Sequence, residues 1–215
     1  MSEKTMIVAT EDGPYQVTNC KMLKSYQDGT VYETEGTVYL CRCGGSSNKP
    51  FCDGTHKKNG FTGAKDPDRT PDRREDYVSI GISIHDNRGI CAHAARCTDG
   101  LKSVFKLGTE PWIDPDGDTT DKIVAVILQC PSGALSYSID GVEHRDRDGD
   151  PAIMLAPNGP YVVVGGADLQ GVEWGEGASL DHFTLCRCGK SQNKPFCSGA
   201  HWHHHFDERA PAPEA

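Results

Sequence analysis

The sequence predicts an α+β protein of small domains, with two β-rich modules at its ends and a third unit between them. Three observations predict it. The sixteen residues CRCGGSSNKPFCDGTH at 41–56 recur almost unchanged as CRCGKSQNKPFCSGAH at 186–201. Each copy follows a stretch that begins Gly-Pro-Tyr, at Gly13 and Gly159, alternates β-forming with polar residues and passes a glycine turn. The 215 residues are only 36% hydrophobic and 7% aromatic but include 24 Gly and 13 Pro, too turn-rich for one large core.

Taken in order, Tyr15-Gln16-Val17 reads as a strand, and Thr37 to Leu40 as another running into the first cysteine. In the second copy Tyr161 to Val164 and His182 to Leu185 take these places. The first module spans 1–64. The charged, proline-bearing stretch from Thr62 to Asp76 lacks periodicity, and 65–76 is assigned as a linker. A middle unit follows at 77–140, a second linker at 141–151 and the second module at 152–207. The tail 208–215 has the composition of a disordered segment, and His203 to His205 read as a solvated helix end. Within the middle unit, DTTDKIVAVILQC (118–130) has the β-branched content of a strand. Ile123, Ile127 and Leu128 equally fit one helical face, with Asp118 as its cap.

Composition narrows the function. A formal net charge of −9 argues against nucleic acid or an anionic membrane as the main partner. The N-terminus shows no apolar leader core, and the longest apolar run, Ile123 to Leu128, is too short to span a bilayer. A cytoplasmic, reducing location follows as the expectation, so ten cysteines point to metal or cluster binding rather than disulfides. No nucleophile–base set, P-loop or dinucleotide fingerprint is present, which argues against a substrate-turnover enzyme.

Spacing sharpens this. Each repeat reads C-x-C-x8-C-x3-H: Cys41, Cys43, Cys52 and His56, then Cys186, Cys188, Cys197 and His201. Cys-x-Cys puts two thiolates on one hairpin. Pro50 and Pro195 turn the chain back, and the last cysteine and histidine share a helical turn. Three thiolates and an imidazole suit a 2Fe–2S cluster, one iron on each ligand pair, and also tetrahedral zinc.

Both motifs resemble the CDGSH iron–sulfur family, through Ser46, Pro50 and CDGTH in the first copy and Ser191, Pro195 and CSGAH in the second. Ser198 stands where the family has Asp, a departure that leaves the ligands intact and removes a carboxylate. The resemblance implies two 2Fe–2S clusters, each held by three cysteines and a histidine exposed near the surface. By analogy with the family's strand-swapping dimers, it also implies that the two copies form an intramolecular pseudo-dimer within a monomeric chain. Neutral, protonatable imidazole ligation implies a raised potential and acid-sensitive cluster retention.

The middle unit holds Cys91, Cys97 and Cys130, the last followed by proline as in ferredoxins. Its CAHAARC, PWIDPD and CPSGAL stretches resemble the divergent single-cluster ferredoxin domain. The resemblance implies a ferredoxin-like α+β fold with 123–130 helical. An ordinary ferredoxin loop would place a further cysteine at Ala94. Three cysteines therefore imply a 3Fe–4S cluster, or a 4Fe–4S cluster completed by His93 or water.

Among the remaining residues, Cys20 reads as a small buried strand residue, and Arg42, Arg187, Lys49 and Lys194 as solvated charges or as tuners of cluster potential. Asp114 to Asp118 (DPDGD) reads as a turn rather than a calcium loop. The expected function is electron transfer among three clusters with redox partner proteins. The alternatives are cluster storage or transfer to apo-acceptor proteins, and a zinc-stapled structural protein.

Overall fold

The computed structural model describes residues 4–210. The first module supplies β1 (Met6–Ala9), β2 (Tyr15–Thr18), β3 (Leu23–Ser25), β4 (Val31–Tyr32) and β5 (Thr37–Leu40). The middle unit contributes β6 (Arg74–Val78), β7 (Ser83–Asn87), α1 (Arg96–Gly100), α2 (Thr120–Ile127), β8 (Leu135–Ile139) and β9 (Val142–His144). The second module adds β10 (Ala152–Leu155), β11 (Tyr161–Val164), β12 (Asp168–Gln170), β13 (Phe183–Leu185) and α3 (Ala200–His203).

The repeat exchanges strands. One sheet runs β12-β1-β2-β5 and another β13-β11-β10-β3-β4. In each, a hairpin and the strand leading to the cysteines come from one module, while the other module adds β12 to the first sheet and β3 with β4 to the second. Thus β12 lies parallel to β1, with Ile7 opposite Leu169, and β3 lies parallel to β10, with Ile153 opposite Leu23. Alternation explains the register: Tyr15 and Val17 of β2 are buried while Gln16 and Thr18, on the other face, are half-buried. Ile7, Leu23, Ile153, Leu169 and Phe183 meet in one core drawn from both modules. Neither module closes its core alone.

The middle unit is an antiparallel sheet, β6-β7-β8-β9, with α1 and α2 inserted between β7 and β8. In α2, Ile123, Val126 and Ile127 are buried, so the helical period wins over β-branched content. Leu128, expected on that face, is 40% exposed. Asp118 accepts from the Thr119 amide and pairs with Lys122, and no side chain caps the helix. The DPDGD stretch is a turn, closed by Gly117 N–H to the Asp114 carbonyl at 3.1 Å.

Both linkers are shorter than assigned. Arg74 to Asp76 pair with Asn87 to His85, and Val142 to His144 pair with Ile139 to Tyr137, because each adds ladder bonds to an otherwise bare sheet edge. The tail assigned as disordered begins with anchored residues. Glu208 ion-pairs with Arg187, and the Ala210 carbonyl accepts from Lys49 Nζ at 2.9 Å; residues 211–215 lie outside the described ones. Cys20 is half-buried in the loop between β2 and β3 rather than on a strand. Among the described residues, no helix is long and apolar enough to cross a membrane.

Candidate metal centres

Each end site is a hairpin pinned at its base. Leu40 bridges Phe51 and Leu185 bridges Phe196. Cys41 N–H reaches the Pro50 carbonyl at 2.7 Å, and Cys186 N–H the Pro195 carbonyl at 2.8 Å. Ser46 and Ser191 brace the loops by donating to the Phe51 and Phe196 carbonyls, both at 2.6 Å. This construction leaves the candidate ligands in pairs. Cys41 and Cys43 sulfurs lie 3.9 Å apart and Cys186 and Cys188 3.8 Å. Cys52 Sγ lies 3.3 Å from His56 Nδ1, and Cys197 Sγ 3.4 Å from His201 Nδ1. Backbone N–H groups of Gly45, Gly54 and Gly199 point at Cys43, Cys52 and Cys197 sulfurs at 3.4 Å each, a setting that favours thiolates.

The thiols titrate as partners. The hydrogen bond from Cys41 holds Cys43 down at about 6 while Cys41 is pushed up, and Cys188 does the same for Cys186, also about 6. Burial pushes up Cys52 and Cys197. Each hairpin therefore offers a thiolate beside a thiol, and a bound cation would displace the remaining proton.

The departure at Ser198 has a local cost. Against the effect of burial, bonds from Thr55 and from the Ser47 amide hold Asp53 at about 2. Ser198 keeps only the bond from the matching amide, Gln192 N–H at 3.2 Å, and its side chain does not cap α3.

The two sites are interlocked. Tyr15 hydroxyl donates to the Cys186 and Pro195 carbonyls at 2.9 and 2.8 Å, and Tyr161 returns this to Cys41 and Pro50 at 2.9 and 3.1 Å. Gly44 and Gly189 adopt φ of 76° and 75°, and a Cβ on either would stand 2.5 or 2.4 Å from the Cys188 or Cys43 carbonyl oxygen. Only glycine allows that approach. Arg42 and Arg187 are 4% and 1% exposed, which overturns the reading of solvated charges. Arg42 donates to the Thr10 and Gly63 carbonyls and lies over Tyr15, while Arg187 pairs with Glu208 over Tyr161. Each guanidinium thus braces the tyrosine that serves the opposite site.

In the middle unit Cys91, Cys97 and Cys130 line one cavity of about 170 Å3. Burial pushes Cys91 up to about 12 and raises Cys97. Asp86 of β7 lines the same cavity at 2% exposure, and neither of its carboxylate oxygens has a hydrogen bond of good geometry. Burial pushes its carboxyl up to about 7. Nothing in the sequence marks Asp86, which is one polar residue in a strand. His93 is exposed, and its ring lies against Gly199 with Nδ1 3.5 Å from an Arg88 nitrogen. Its backbone N–H, rather than its ring, points at Cys91 Sγ, at 3.3 Å.

The middle unit docks on the second module. Trp202 Nε1 donates to the His93 carbonyl at 3.2 Å and Asn193 Nδ2 to the Gly89 carbonyl at 2.9 Å. Consequently His56 is half-buried but His201 only 6% exposed, a correction to the expectation of two exposed histidines.

A family model described as "Iron-binding zinc finger CDGSH type" matches residues 12–57 and 158–202, and one described as "Divergent 4Fe-4S mono-cluster" matches 77–140. The chain is 41% identical over 61 residues to "Uncharacterized protein YjdI" of Escherichia coli (strain K12), covering 28% of this chain and 80% of the relative. The protein of the same name in Escherichia coli O157:H7 gives the same values.

Proposed function

The chain belongs to the CDGSH iron-binding family and carries a divergent 4Fe–4S mono-cluster domain between its two modules, and from that premise we propose that it is a multi-cluster electron carrier rather than a substrate-turnover enzyme. Cys41 and Cys43 would hold one iron of a 2Fe–2S cluster, with Cys52 and His56 on the other. Cys186 and Cys188, with Cys197 and His201, would repeat this. Cys91, Cys97 and Cys130 would hold a 3Fe–4S cluster, or a 4Fe–4S cluster with a further ligand. Bound there, such clusters supply one-electron donor and acceptor sites.

The observation that carries the electron-transfer reading is contact between ligand loops in series. The Cys91–Cys97 loop touches the Cys197–His201 turn through His93, Gly199 and Trp202. The Cys186–Cys188 hairpin touches the Cys41–Cys43 hairpin through Gly44 and Gly189. The order is therefore middle site, second module, first module. Reciprocal strand exchange and the paired tyrosines support an intramolecular pseudo-dimer in a monomeric chain. In the middle unit, the antiparallel sheet with inserted helices supports a ferredoxin-like fold. Partners are redox proteins, with neither nucleic acid nor membrane, in a cytoplasmic setting consistent with the charge of −9.

A zinc staple is the competing reading, since three thiolates and an imidazole also suit tetrahedral zinc. Cluster donation to an apo-acceptor is favoured by one observation, the half-buried His56 and Cys52 beside exposed Asp53 and Lys57. Iron, sulfide and zinc analysis tests the main reading: about seven or eight irons per chain with matching sulfide are expected. Zinc without sulfide contradicts it. Mixing with an apo-ferredoxin then separates carriage from donation, since a carrier keeps its colour.

A further inference from the structure

Between the middle unit and the second module runs a groove of about 390 Å3. Arg69, Arg88 and Lys190 line it together with His93, Trp202 and Ser198, and no Asp or Glu does, although the chain's formal charge is −9. The cations are partly held in place. Arg88 lies over the Trp112 ring at 4.8 Å, and Arg69, its side chain 19% exposed, donates to the Thr70 carbonyl at 3.1 Å. Among the described residues Arg88 and Lys190 take part in no ion pair, and Arg69 has one contact, at 4.0 Å, with Asp72.

These charges are not all explained by the neighbouring cysteines. Arg88 also lines the cavity of Cys91, Cys97 and Cys130, and Lys190 lies in the second module's cysteine loop with its N–H 3.5 Å from Cys188 Sγ, but Arg69 belongs to neither. Concave clefts at unit boundaries are where small ligands bind. A lining with three cations and no carboxylate gives such a cleft a positive potential, although Asp72 pairs loosely with Arg69 and Asp86 lies near Arg88. A guanidinium fixed by packing loses little freedom when it binds phosphate or carboxylate.

We propose that this groove binds a small oxyanion, a molecule whose phosphate or carboxylate group is gripped jointly by Arg69, Arg88 and Lys190. The groove adjoins the cavity of the middle unit's cysteines, with which it shares Arg88, Cys91 and His93, and its binding of an anion does not depend on electron transfer. Its occupant would sit between the Cys91 loop and the Ser198–Gly199 turn, touching the junction of two candidate centres.

Isothermal titration of the full-length protein, as purified, with inorganic phosphate, with succinate and with sodium chloride at matched ionic strength tests this. Saturable phosphate binding identifies a phosphate source, and saturable succinate binding alone identifies a carboxylate source. Lys190→Gln, at an exposed position where the fold is not at risk, should weaken that binding about tenfold, and Arg69→Gln likewise, since each removes a charge-assisted bond. Heats no greater than those of chloride, or saturable binding that both substitutions leave unchanged, would overturn the proposal.

Discussion

Asp86→Asn should stabilise the protein increasingly as pH rises. Asp86 is 2% exposed, neither oxygen has a hydrogen bond of good geometry, and burial, outweighing Arg88 and Trp112 nearby, moves its carboxyl from the usual 3.8 to about 7. Between these values the folded chain keeps a proton that the unfolded chain releases. Stability from this group is thus fully present below 3.8 and is lost as pH climbs towards 7. About three pH units at 1.36 kcal/mol each set a ceiling of about 4 kcal/mol. Asparagine, the neutral isostere, avoids the loss: the gain is about 1.5 kcal/mol at pH 5 and up to about 4 at pH 8. At roughly 2–4 °C per kcal/mol, the melting-temperature advantage of the variant widens by about 5–10 °C over that range. Thiolates and a cluster in the cavity add negative charge and push the carboxyl further the same way. Thermal unfolding of wild type and variant at pH 5, 6, 7 and 8 measures the difference. An advantage that stays constant with pH, or reverses, would refute the assignment of a destabilising buried carboxyl.

The interlock makes crossed predictions. Tyr15→Phe removes the donor to the Cys186 and Pro195 carbonyls, costing about 1–3 kcal/mol and perturbing the EPR signal of the second module's site more than its own; Tyr161→Phe should do the reverse. Changes confined to the substituted module would contradict this. Gly44→Ala would drive a Cβ to 2.5 Å from the Cys188 oxygen, so both hairpins must part and visible cluster absorbance should fall at both end sites; loss at one only would show the hairpins to be independent. On acidification the site of half-buried His56 should bleach before that of buried His201, because iron loss requires a proton on the imidazole. Stopped-flow absorbance with His56→Cys, which should abolish the faster phase, checks the order.

The ligand spacing was legible because it is local: a duplicated C-x-C-x8-C-x3-H specifies two hairpins wherever they lie in space. Strand positions followed from alternation, and Tyr161–Val164 and Thr37–Leu40 form strands with the expected ends. What the sequence hid depends on pairing between distant segments. Arg42 and Arg187 look like surface charges between two ligands, and only the opposite module's tyrosine explains their burial. The burial of His201 is not legible in its own loop because the covering unit comes from residues 88–93, whose register against the second module has no local signature. Short pairings at the sheet edges, Arg74–Asp76 and Val142–His144, were hidden by charged composition. Asp86 was invisible because an aspartate inside a strand usually faces solvent.

Stepwise anaerobic reduction followed by EPR tests the serial arrangement most directly. The account predicts three reducible centres per chain, with each end-site signal broadened or split when its neighbour in the series is also reduced. End-site signals that are identical whether the adjoining centre is oxidised or reduced would contradict it.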